Sequence, residues 1–178
     1  STTVTVTGNV AQSSTTYGFS VTGANNNIVG NYIYGSGGAT TNNAIYVNGT
    51  LNSINDNYII DSSCTTDCYG INIASGANLS ISGVTVSGAK TTGNGAGFSN
   101  LGTLTVSNSL ITGNSGGNTG GGIFSTGTLH VSGSTFTGNS AEYGGGLFIW
   151  SASTGTVSNS TFSGNNGVKQ GGGLFNNG

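Results

Sequence analysis

Residues 144–175 read GGGLFIWSASTGTVSNSTFSGNNGVKQGGGLF, and residues 120–139 read GGGIFSTGTLHVSGSTFTGN. The first stretch opens and closes on one phrase, and the second nearly duplicates its beginning. Working outward, a small residue followed by an apolar one recurs at Gly18-Phe19, Ala44-Ile45, Gly70-Ile71, Gly97-Phe98, Gly122-Ile123, Gly146-Leu147 and Gly173-Leu174. The intervals are 26, 26, 27, 25, 24 and 27 residues. Self-similarity at so steady a period marks a repeat architecture, in which each unit buries its apolar face only against its neighbours.

Within a unit, apolar residues alternate with polar ones, the period of a half-buried strand. A first strand carries Phe19/Val21, Ile45/Val47, Ile71/Ile73 or Leu147/Ile149, and a second carries Leu79/Ile81, Leu104/Val106 or Leu129/Val131. A bend follows at Asn31, Asp56, Gly83, Asn108, Gly133 or Asn159, residue types that tolerate a left-handed backbone. A third strand is centred on Val6, Ile33, Ile59, Val86, Ile111, Phe136 and Phe162. Three short strands per unit predict an all-β, single-domain parallel β-solenoid over residues 1–178, with about seven rungs of about 26 residues. Rungs would stack at the inter-strand spacing of about 4.8 Å.

Composition fits that reading. Charged residues are 3% of the 178, against a usual share of about a quarter, and 35 residues are glycine. Stacking places like residues in columns, where like charges would repel, so neutral Ser, Thr and Asn suit the outside. Two basic residues cannot neutralise a phosphate backbone, which excludes nucleic acid as a partner. No apolar run approaches the roughly 18 residues of a membrane span.

The pattern GG-(I/L) with F-x-x-N, as in Gly121-Gly122-Ile123 with Phe136-Thr137-Gly138-Asn139 and Gly145-Gly146-Leu147 with Phe162-Ser163-Gly164-Asn165, resembles the repeat of polymorphic outer-membrane proteins. It is also similar to repeats of surface β-helix proteins of the pectin-lyase-like superfamily. The resemblance is good over residues 95–175 and becomes generic over residues 17–90. It implies a right-handed β-helix and an extracellular or cell-surface role in adhesion or architecture.

Chemistry finds little purchase in the sequence. The acids are Asp56, Asp61, Asp67 and Glu142. Asp56 is a bend residue, and Glu142 falls about three rungs, roughly 15 Å, from the loop of Asp61 and Asp67. Glycosidase carboxylates need to lie within about 10 Å of each other, which leaves Asp61 with Asp67, read here as a solvated loop. His130 points outward in a column with Ser80, Thr105 and Thr156 and has no nucleophile beside it. The glycine runs are read as bends, and no enzyme activity or cofactor is expected. Cys64 and Cys68 could form a local disulfide in an oxidising, extracellular setting. A metal site would need further soft ligands, and reduced thiols are the remaining alternative. Asn48, Asn78 and Asn159 open N-glycosylation sequons.

The expected function is structural. Aligning Thr5-Val6-Thr7-Gly8-Asn9 with Thr135-Phe136-Thr137-Gly138-Asn139 predicts a chain that starts about where a rung would resume after its end. With no capping helix in view, copies would stack head to tail as a filament with roughly 33 Å per subunit. Phe124, Phe148 and Phe175, with Tyr46 in the same column and Trp150 beside it, are expected on the outer face. They would form either a stacked aromatic ladder or a surface for lateral bundling. The alternatives are a stalk segment of an adhesin and an ice-binding solenoid. The latter would use outward threonines at Thr5/Thr7, Thr85/Ser87, Thr135/Thr137 and Thr161/Ser163, interrupted by Tyr32, Tyr58 and Leu110. Surface glycans are a further candidate partner, through the exposed tyrosines and Trp150.

Overall fold

The computed structural model describes residues 3–13, 17–35, 41–61 and 67–178, and these form strands and turns with no helix among them. Sheet A runs from Thr5–Thr7 through Asn27–Val29, Asn52–Asn55, Asn78–Ser82, Thr103–Ser107 and Thr128–Ser132 to Thr154–Ser158. Sheet B runs from Val10–Ser13 through Tyr32–Gly35 and Tyr58–Asp61 to Thr161–Ser163. Sheet C runs from Tyr17–Val21 through Thr41–Val47 and Asp67–Ile73 to Leu174–Asn176. All three are seven strands deep and parallel throughout, so the chain winds as a β-solenoid of about six turns.

The registers follow the repeat. Phe19, Ile45, Ile71, Phe98, Ile123, Leu147 and Leu174 pair in succession along sheet C. Ile28, Ile54, Ile81, Val106, Val131 and Val157 do the same in sheet A. Nearly every inner member of these ladders is fully enclosed. Burying a side chain of this size contributes about 1.5–3 kcal/mol, so every rung adds several such terms along the coil.

Three expectations need correcting. The carboxy-terminal half has a fourth sheet, D, made of Lys90–Thr91, Ser115–Gly116, Ser140–Tyr143 and Asn166–Gln170. There the rung carries four strands and not three; these strands, two of them only two residues long, show no apolar alternation that would announce them. Val6 also belongs to a different column. It pairs with Ile28 in sheet A, and Ala11 is the residue that pairs with Ile33 in sheet B. The cause is a degeneracy between corners. Both the A–B corner and the corner after sheet B place a left-handed glycine before a small polar residue, as at Gly30-Asn31 and Gly138-Asn139. Thr-Val-Thr-Gly-Asn fits either one, and the alignment with residues 135–139 is one corner out of phase.

The bend column shifts likewise at one position. Asp56, Gly83, Asn108, Gly133 and Asn159 have φ between 47° and 66°, but in the second rung the left-handed residue is Gly30, not Asn31. The inward residue there is Ile28 while Val29 faces out, so counting two positions from Val29 overshoots by one.

Candidate assembly and binding surfaces

The A–B corner column reads Gly8, Gly30, Asp56, Gly83, Asn108, Gly133, Asn159. After its first two members, glycine alternates with Asp or Asn, for a steric reason. The Asp56 carboxylate rests where a Cβ on Gly83 would be, and Asn108 Oδ1 would lie 2.7 Å from a Cβ on Gly133. An Asx at this corner therefore requires glycine in the following rung.

Next to this column, asparagine and serine turn inward. Asn31 and Asn57 are buried. Asn57 Oδ1 accepts from Asn31 N at 2.8 Å and from Asn31 Nδ2 at 3.0 Å. In later rungs serine takes over: Ser109 N donates to Ser134 Oγ at 3.2 Å, and Ser134 N to Ser160 Oγ at 3.2 Å. A second ladder fills the corner after sheet B and explains the asparagine of F-x-x-N. Asn139 is fully buried. Its Nδ2 donates to Ile111 O at 2.9 Å and to Asn165 Oδ1 at 2.9 Å. Its Oδ1 accepts from Asn114 N at 3.0 Å and Asn114 Nδ2 at 3.0 Å. Each such amide thus bonds the interior backbone of one rung and clamps it to the next, as a buried polar group requires. In the sequence Asn31 reads as a bend residue and Asn139 and Asn165 as motif residues, while Asn57 and Asn114 stand out in no pattern; the spacing of 25 and 26 residues is the one trace of the ladders.

At the two outermost rungs the same columns lie open. Val6, Ala11 and Phe19 on one end, and Val157 and Phe162 on the other, are only partly buried, and Leu174 is exposed. Val4, Val6, Phe19, Val21 and Ile28 line an apolar hollow at the amino-terminal end.

The aromatic column is in register as expected: Ser20, Tyr46, Asn72, Ser99, Phe124, Phe148 and Phe175. It is not displayed as expected. Phe124 is 7% and Phe148 3% exposed, because the glycine corners at Gly95, Gly120 and Gly144 pack closely on this column. The rings stack along the axis, Phe124 on Phe148 at 5.9 Å and Phe148 on Phe175 at 5.4 Å. Trp150, 43% exposed, leans on Phe148 at 5.9 Å. A groove is left between this stack and the sheet D edge, lined by Asn118, Tyr143, Trp150, Gln170, Phe175 and Asn177 among others.

The remaining candidates are spread out. Glu142 pairs with Lys169 at 2.6 Å on the surface, and that hydrogen bond raises the lysine above the ordinary amine value. Lys169 also sits 5.3 Å from the centre of the Tyr143 ring. His130 Nδ1 meets Thr156 Oγ1 at 3.0 Å, within the outward column of Ser80 and Thr105. Asp61 ends one strand and Asp67 begins another; their side chains, with Cys64, lie outside the described part of the structure. Cys68 is buried and is not a free thiol. Asn48 and Asn159 are exposed and Asn78 half-buried. Thr5 and Thr7 stand on sheet A, so they leave the threonine array of sheet B. Among the described residues no three His, Cys, Asp or Glu side chains cluster as around a metal ion, and no helix is long and apolar enough to cross a membrane. Comparison with protein-family models, curated proteins and solved structures returns no match.

Proposed function

We propose that the chain is a non-enzymatic structural subunit that polymerises by seating the carboxy-terminal rung of one copy on the amino-terminal rung of the next. The observation that carries this reading is the alternation in the A–B corner column. Its last member, Asn159, calls for a glycine in the following rung, and its first member, Gly8, has open space where a side chain would stand. In the register that pairs Val131 with Val157, Asn159 of one copy rests on Gly8 of the next. Val157 then covers Val6, and Phe162 covers Ala11. Ser160 N–H meets Asn9 Oδ1, repeating the bond that Asn31 N–H makes to Asn57 Oδ1. The step from Val157 to Phe162 and the step from Val6 to Ala11 are both five residues, so sheets A and B continue without a shift. A contact of this type joins unlike surfaces and does not close on itself, so it extends into a fibre.

An extracellular or cell-surface setting is supported by the resemblance of the GG-(I/L)…F-x-x-N pattern to surface β-helix proteins. Serving as one segment of a longer adhesin stalk would use the same rung-on-rung contact within a single chain.

Gly8→Asn tests the reading. Asparagine tolerates the φ of 66° at this position, as Asn108 and Asn159 show at 47°, and nothing within the chain stands in its way. The variant is expected to keep the wild-type melting temperature within about 2 °C, as a surface substitution of roughly 0.5 kcal/mol would. In negative-stain images it should remain as short rods while the wild type forms fibres. Fibres of undiminished length from the variant, or short rods alone from the wild type at every concentration, would remove the reading.

A further inference from the structure

The groove beside Trp150 has the form of a ligand site that neither the fold nor the polymer requires. One wall is a ladder climbing three rungs. Asn118 O accepts from Tyr143 N at 3.0 Å, and Tyr143 is in turn paired with Gln170. The other wall is Trp150 and Asn177, and Phe148 and Phe175 form the floor. The walls climb along the solenoid axis, so the groove spans about 10 Å over two rung steps. That length suits an extended chain ligand better than a single small molecule.

We infer that this groove binds a neutral oligosaccharide. The half-exposed Trp150 and the Phe175 ring, each packed on Phe148, present apolar faces of the sort on which the C–H face of a pyranose stacks. Asn118, Gln170 and Asn177 each bring an amide, which donates and accepts at once and so matches hydroxyl groups. The charged side chains on the flanking strands, Glu142 and Lys169, pair with each other at 2.6 Å, and none of the lining side chains is a cation that would select a uronate or sulfate. The apolar floor and polar rim follow the usual composition of small-ligand sites. Of the other exposed aromatic residues, Tyr32 and Tyr58 stack on each other at 5.4 Å on sheet B, away from this groove.

Trp150 is the one tryptophan of the chain, so its emission reports on the groove directly. Wild-type protein would be titrated with hexamers of cellulose, starch-type glucan and N-acetylglucosamine, and with oligogalacturonate as the charged control, alongside calorimetry. Saturable change in Trp150 emission with at least one neutral hexamer, and none with oligogalacturonate, is expected. Gln170→Ala should weaken that binding at least about tenfold while leaving the fluorophore in place, and Trp150→Ala should abolish the calorimetric signal. Gln170→Ala should melt as the wild type does, since that side chain is exposed; Trp150→Ala gives up the contact with Phe148 and should melt somewhat lower while remaining folded at the assay temperature. No saturable response to any neutral hexamer, binding of the uronate alone, or full affinity in both variants overturns the inference. Because the assay uses dispersed protein, its result is separate from whether fibres form.

Discussion

Asn139→Leu will lower the stability of the dispersed protein by about 3–5 kcal/mol, the cost of leaving several buried polar groups without partners. The side chain is fully enclosed. Its loss leaves the Asn114 backbone N–H, at 3.0 Å from Asn139 Oδ1, facing a methyl group. It also removes the donors to Ile111 O and Asn165 Oδ1. Leucine branches at the same carbon with the same number of side-chain heavy atoms and is not smaller, so a cavity does not account for the effect. In a protein of this size the melting temperature should fall on the order of 10 °C. Ser163→Val, on an exposed position of a sheet B strand, is the control and should stay within about 0.5 kcal/mol. A shift for Asn139→Leu as small as the control's would mean that the amide ladder does not couple the rungs.

Gly146→Val should be comparably damaging for the opposite reason, too much volume where rungs meet. Gly146 does not have a positive φ, so its role is one of space. A Cβ there would collide with the Gly173 carbonyl oxygen and come within 3.0 Å of Phe162 Cδ1 and 3.3 Å of Asn165 Cγ. Overpacking of this kind costs about 3 kcal/mol, or more where the obstacle is backbone. The same substitution at Gly173 is the informative partner. In the outermost rung a Cβ at Gly173 meets only the Phe162 side chain, at 3.2 Å and beyond, so Gly173→Val should cost less than half as much in dispersed protein. It should nevertheless impair fibre growth, because the next copy's Gly18 carbonyl would occupy the place that Gly173 O occupies over Gly146. Equal destabilisation at the two positions, measured by thermal unfolding under non-polymerising conditions, would contradict this account of the glycine column.

Period and register were legible because they depend on inward apolar residues, and Phe19, Ile45, Ile71 and Phe98 announce themselves at fixed intervals. What escaped was information that exists only between rungs. Asn139 looks like a corner residue because a single rung gives it no partner; three rungs satisfy all of its hydrogen bonds. Phe124 and Phe148 look exposed because they face away from the main core, and their cover comes from glycine corners that carry no hydrophobic signal. Thr5-Val6-Thr7-Gly8-Asn9 was misplaced because two corners share one chemistry, and only pairing with Asn27–Val29 distinguishes them. A bend is the right reading for Gly120 and Gly144, at φ 63° and 60°, whereas Gly122 and Gly146 are there for close packing. The groove beside Trp150 combines residues from three rungs and was invisible to a reading that took each repeat alone.

The most direct test of end-on stacking is a helical reconstruction from electron cryomicroscopy of fibres grown from the purified chain. The expected axial rise is about 33 Å per subunit, seven steps at the inter-strand spacing, with Val157 of one copy directly over Val6 of the next and Asn159 over Gly8. Subunits joined side by side, or end to end with those pairs out of register, would contradict it.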